Sequence, residues 1–167
     1  MDKCLGGVNF RIAQKLGLNN IRVLAPEENY LSKIVTFVPQ SHIEQVRQAM
    51  WLAGAGTIGA YDCCSYSSEG NGTFRAQVGC NPFVGEIGKL HTEPELRLEM
   101  IVPKDKLGRV VAAIHSAHPY EEPAIDILPL SNNYEQLGLG CVGDLENPIT
   151  ETEMLNYIKE KLGVQYI

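Results

Sequence analysis

The stretch IVTFVPQSHIEQVRQAMWLA, Ile34 to Ala53, returns in outline as LEMIVPKDKLGRVVAAIHSA, Leu98 to Ala117. The offset is constant: Val38-Pro39 becomes Val102-Pro103, Ile43 becomes Leu107, Val46 becomes Val110, Ala49-Met50 becomes Ala113-Ile114, and Ala53 becomes Ala117. Each copy reads as a strand, a proline turn and an amphipathic helix. Ile34, Val35, Phe37 and Val38 form a β-rich apolar run. Leu96, Leu98, Met100 and Val102 alternate with Arg97 and Glu99, the period of a strand with one exposed face. In the first copy Ser41 and Glu44 have the spacing of a capping box, and Asp105 takes the matching cap position in the second. Apolar residues three or four apart give each helix one core-facing stripe.

A further strand is expected after each helix, over Tyr61 to Tyr66 and over Ala124 to Leu130. The order β-α-β-β-α-β is the split βαβ of ferredoxin-like folds, an α+β class in which two helices cover one face of an antiparallel sheet. The other face then needs a cover. A partner subunit or the rest of the chain is the expected cover, because exposed apolar patches beyond a few hundred Å² mark interfaces.

Composition bounds the function classes. The chain of 167 residues is 44% apolar and 20% charged, ordinary for a globular protein. No run approaches the roughly 20 apolar residues of a membrane helix. The opening Met-Asp-Lys-Cys lacks the basic and apolar regions of a secretory signal, so a cytoplasmic location is expected. A net charge of −6 without clustered Lys or Arg gives no strong nucleic-acid signal. The five cysteines have neither C-x-x-C spacing nor paired Cys/His sets, which argues against a disulfide framework or a zinc knuckle.

Outside the duplication, Gly7 to Leu16 reads as a helix with Val8, Ile12, Ala13 and Leu16 on one stripe and Gly17 at its left-handed cap. Ile21 to Leu24 is a brief strand, and Ser67 to Glu95 a long connection in which Gly70-Asn71-Gly72 carries a hairpin turn signal. Gly138 to Leu145 is a strand, the capping box Thr150-x-x-Glu153 opens a last helix, and Val164 to Ile167 begins another strand.

Three stretches can carry chemistry. Gly54-Ala55-Gly56-Thr57-Ile58-Gly59 has the spacing of a dinucleotide loop, but it closes a helix instead of opening one, so helix termination is the expected role. His118-Pro119-Tyr120-Glu121-Glu122-Pro123 places an imidazole and two carboxylates between prolines. It can hold a metal, exchange protons or bind a ligand, or it can simply stop the helix with its glutamates in water. Thr73-Phe74-Arg75 offers a ring and a cation to an anionic ligand, unless Arg75 pairs with Asp62 or Glu69. Of the vicinal Cys63-Cys64, one thiol is expected on each face of a strand.

Gly72-Thr73-Phe74-Arg75, Asn81-Pro82-Phe83-Val84-Gly85 and His118-Pro119-Tyr120-Glu121-Glu122-Pro123-Ala124 together resemble the NGG-interacting-factor-three-like family, the GTP cyclohydrolase I type 2 homologues. On this resemblance, residues 33–130 are similar to the PII/CutA-like ferredoxin-like domain inserted in the longer bacterial members. Residues 1–32 and 131–167 then resemble partial segments of the α/β metal-binding domain around it.

The resemblance implies two divalent metals, zinc, iron or manganese, in the full-length family. Only Asp2, followed by Gly6-Gly7-Val8-Asn9, maps onto a metal ligand. The paired histidines lie before that aspartate in the family, and its closing His and Glu lie beyond the equivalent of Ile167. The chain is therefore expected to be an internal fragment that does not retain the metals and is inactive alone. The implied activity of the full-length form is metal-dependent hydrolysis of a nucleotide-like substrate such as GTP. The alternatives are a non-catalytic module for self-association through the sheet face or for ligand binding, and a truncated product with no role of its own. Thr73, Phe74, Arg75, His118, Glu121 and Glu122 are the candidates for ligand binding or for a lid.

Overall fold

A computed structural model describes residue 3 and residues 6–167; Asp2, the one expected metal ligand, lies outside them. The elements in order are α1 (Val8–Lys15), β1 (Asn19–Glu27), β2 (Leu31–Pro39), α2 (Ile43–Leu52), β3 (Tyr66–Phe74), β4 (His91–Pro103), α3 (Leu107–Ala117), β5 (Ile125–Pro129), β6 (Tyr134–Asp144) and α4 (Glu151–Leu162). They form two compact units, Asn29–Ser131 and the combination of Met1–Glu28 with Asn132–Ile167. The architecture is mixed α+β with antiparallel sheets.

In the unit Asn29–Ser131 the sheet order is β3-β4-β2-β5, every pair antiparallel. Register decides which residues share a face. Ile34 opposite Met100, Thr36 opposite Leu98 and Val38 opposite Leu96 lie on one face, and Val35 opposite Glu99 and Phe37 opposite Arg97 on the other. The first face packs under both helices: Ile34, Val38, Leu98, Met100 and Val102 meet Ile43, Val46 and Met50 of α2 and Val110 and Ile114 of α3. The duplicated pairs Val38/Val102, Val46/Val110 and Met50/Ile114 are all fully buried. Each such side chain stabilises the fold by about 1.5–3 kcal/mol relative to leaving it exposed.

Local expectations fail in this unit for identifiable reasons. Neither expected helix cap forms, because a single 3₁₀ turn, Gln40–His42 or Lys104–Lys106, leads from each proline into its helix. Ser41 Oγ instead bonds His42 Nδ1 at 2.8 Å, Glu44 pairs with Arg47, and Asp105 accepts from the Tyr30 hydroxyl at 2.9 Å. The expected strand Tyr61 to Tyr66 is irregular chain. Left-handed backbone at Gly54, Gly56, Gly59 and Cys63 turns it repeatedly, and the third strand starts only at Tyr66.

Gly70-Asn71-Gly72 is not a turn either. It runs mid-strand opposite Glu95, Pro94 and Glu93. Gly72 is there for close approach: a Cβ on it would stand 2.2 Å from Glu95 Oε2. The connection from β3 to β4 is correspondingly shorter than expected, residues 75–90.

In the other unit β1 and β6 pair antiparallel, with Gly138 so close to β1 that a Cβ would lie 2.1 Å from Ala25 O. Helix α1 buries Phe10 and Ala13, whereas Val8 and Ile12 of the expected stripe are 50% and 41% exposed. Tyr157 of α4 donates to Leu16 O at 2.8 Å, just past the end of α1. The expected capping box of α4 is present, with the Thr150 amide donating to Glu153 Oε2 at 2.8 Å and the Glu153 amide to Thr150 Oγ1 at 3.4 Å. Gly163 ends that helix in the left-handed conformation, and the last four residues are irregular, not a strand. No helix among the described residues is long and apolar enough to cross a membrane.

Candidate functional site

The sheet face turned away from α2 and α3 carries Phe37 of β2, Glu95 and Arg97 of β4, and Ser68 and Gly70 of β3, brought side by side by register. Two loops return over one part of this face. The 75–90 connection brings Ala76, Cys80, Pro82 and Phe83, and the segment after α3 brings Tyr120, Glu121 and Glu122. Between loops and sheet lies a groove of about 600 Å³, within the range of small-molecule sites. The two loops are tied together where the Asn81 amide donates to Glu121 Oε2 at 3.0 Å.

His118 positions one side of the groove. Its Nδ1 accepts the Tyr120 amide at 3.1 Å; since an amide can only donate, the ring proton sits on Nε2, which donates to Phe37 O at 2.9 Å. Burial lowers the pKa of His118, outweighing the bond to Phe37, with His42 and His115 lowering it further. Both ring nitrogens are thus committed to backbone. The imidazole is a neutral brace that fixes the turn presenting Tyr120.

Tyr120 is the hub of the aromatic wall. Its ring centroid lies 6.1 Å from Phe74, 6.2 Å from Phe83 and 4.9 Å from His118. Phe83 reaches His42 edge-on at 5.2 Å, and Phe74 leans on His91 at 5.4 Å. The Tyr120 hydroxyl donates to Glu95 Oε1 at 2.7 Å. Burial first, then the Glu95 carboxylate as acceptor and as neighbouring charge, raise the Tyr120 pKa well above its ordinary value. The phenol is therefore a donor and not a base.

The structure brings Thr73, Phe74, Glu121 and Glu122 together around the groove and leaves Arg75 and His118 out of its lining. Arg75 is exposed and makes no ion pair with Asp62 or Glu69. Glu95, Phe37 and Arg97 were absent from the expected set. Glu95 closes the stretch expected as a connection; it stands instead inside β4, where the returning loops cover it. Among the described residues no three His, Cys, Asp or Glu side chains group so as to hold a metal ion, so these residues do not fit the two-metal centre that the resemblance implies.

The family model for Duf34/NIF3 (NGG1p interacting factor 3) matches residues 1–167. The chain belongs to this family. It is 46% identical over 165 residues to the "GTP cyclohydrolase 1 type 2 homolog" of Halalkalibacterium halodurans, a match covering 98% of this chain and 44% of that relative. It also resembles the crystal structure of a Bacillus cereus protein related to NIF3, with TM-score 0.80 and 44% identity over 98% of this chain and 43% of that one. This NIF3-family chain thus spans less than half the length of the relatives it matches. CutA from Synechococcus elongatus PCC7942 aligns with 83% of this chain and 96% of its own at 16% identity and TM-score 0.47.

Proposed function

We propose that the unit Asn29–Ser131 is the ligand-recognition part of a NIF3-family protein, its groove receiving a small molecule that carries a flat ring, such as the base of a nucleotide-like compound. The observation that carries this is the convergence of Phe74, Phe83 and Tyr120 around the buried carboxylate of Glu95, in a groove of suitable volume. Concave, mostly apolar sites with a few placed polar groups are where small molecules bind. The order β3-β4-β2-β5 with both helices against one face supports a ferredoxin-like, PII/CutA-like class for this unit. The flanking unit is proposed as part of a metal-binding domain. Hydrolysis at two divalent metals is the activity the family resemblance implies. The described residues offer no ligand set for it, so recognition is the role proposed for them and no hydrolytic step is derived.

The test is an amide NMR titration of the chain with a mixed panel of aromatic and heteroaromatic compounds. Binders are expected to shift the amides of Phe74, Glu95 and Tyr120, and Phe83→Ala to weaken them by about 1–3 kcal/mol. A panel that leaves those amides unmoved would overturn the proposal.

A second reading is self-association through the sheet of this unit. It is favoured by Ile127 and Leu128, each 46% exposed on the edge strand β5. Light scattering is expected to show an oligomer that Leu128→Glu dissociates, and a strict monomer would remove this reading.

A further inference from the structure

We infer that the groove takes an organic cation, a flat amidinium- or guanidinium-type group that meets the Glu95 carboxylate with its plane against the aromatic wall. This rests on the reading of the groove as a ligand site and narrows the ligand to one chemical class.

Glu95 supplies the main argument. It is 8% exposed, the one buried carboxylate among the described residues. Its hydrogen-bond donor is the neutral Tyr120 phenol, on Oε1, and no Lys, Arg or His pairs with it among the described residues. A carboxylate taken out of water without a counter-charge is unfavourable. In a concave, mostly apolar groove, such a polar group is a natural anchor for a ligand of opposite charge. Oε2 stands over Gly72, where the missing side chain keeps the space for it.

The surroundings have the same sign. Glu121 and Glu122 also line the groove, and its single cation, Arg97, is already held by Glu99 at 3.0 Å. Aromatic rings add the negative faces of their quadrupoles, which attract cations and most of all flat, weakly hydrated ones. An anionic group such as a phosphate would meet the carboxylates of Glu95, Glu121 and Glu122 here.

The experiment is calorimetric titration of the chain with benzamidine, its neutral isostere benzamide, and benzoate. Benzamidine is expected to bind, benzamide about tenfold or more weaker, and benzoate without measurable heat. Glu95→Gln, an isosteric change checked for folding by its circular-dichroism melt, is expected to bring benzamidine down to the level of benzamide and leave benzamide unchanged. A capped Gly-Arg-Gly peptide carries the same charge on a chain. Tighter binding of the peptide than of benzamidine assigns the cation to a protein side chain, and the reverse order assigns it to a free small molecule. Equal affinities for benzamidine and benzamide with no effect of Glu95→Gln would overturn the cation and leave the groove as a ring-binding site. GTP binding more tightly than benzamidine would overturn it likewise. No binding by any probe, together with unmoved groove amides in the NMR panel, would overturn both.

Discussion

At the scale of single residues, Tyr120 of the groove and His118 beside it carry their environment in their protonation. Tyr120 keeps its proton in the folded chain because burial and the Glu95 carboxylate disfavour the phenolate. Its contribution to stability is complete below about pH 10, the ordinary tyrosine value, and is lost as pH rises through the higher folded pKa. Ultraviolet titration is expected to show a late tyrosine phase that Tyr120→Phe removes. His118 has the opposite sign. The folded chain resists the proton that the unfolded chain accepts, so its contribution is complete above about pH 6.5 and is lost as pH falls through the lower folded pKa. Urea midpoints measured from neutral to mildly acid pH are expected to fall less steeply in His118→Gln than in the parent chain.

At the scale of elements, close packing of strands decides which glycines can change. A methyl on Gly138 would press into the Ala25 carbonyl and stand 2.5 Å from Val23 Cγ1, where β1 and β6 pair and neither strand can yield. Gly138→Ala is expected to cost about 1–3 kcal/mol or more, seen as a lower urea midpoint and faster amide exchange in β1 and β6. Gly70→Ala is the control on β3: nothing lies within 4 Å of its Cβ position, so stability should hold within about 0.5 kcal/mol. The contrast separates strand glycines kept for space from those that are merely tolerated. It also shows why Gly70-Asn71-Gly72 reads as a turn from composition alone: composition does not record that Glu95 lies across the sheet.

At the scale of the whole molecule, Asn29–Ser131 has its own sheet, two helices and a core drawn from all of them. Residues 29–131 expressed alone are therefore expected to unfold in one cooperative step, with a urea slope of about 1–3 kcal/mol per molar and groove binding retained. A broad, non-cooperative melt would show that this core does not suffice. The groove lies wholly inside this unit, since its lining runs from Phe37 to Ala124. Ligand affinity should then be the same in residues 29–131 and in the chain of 167 residues.

Short-range physics was legible in the sequence. The repeated Val38-Pro39 and Val102-Pro103, the stripes ending in Met50 and Ile114, and the Thr150–Glu153 box all appear in place, because periodicity and capping depend on neighbours within a few turns. Three of the groove's residues, Phe74, Phe83 and Tyr120, stand in the quoted motifs, but nothing local says that they converge. The α1 stripe holds only in part: Ala13 is buried as expected, but packing took Phe10 in place of Val8 and Ile12. Only the tertiary structure decided the site. Glu95 closes a stretch that chain-local reasoning leaves as a connection, and Tyr120, returning across the sheet, takes it out of water and gives it one hydrogen bond and no counter-charge.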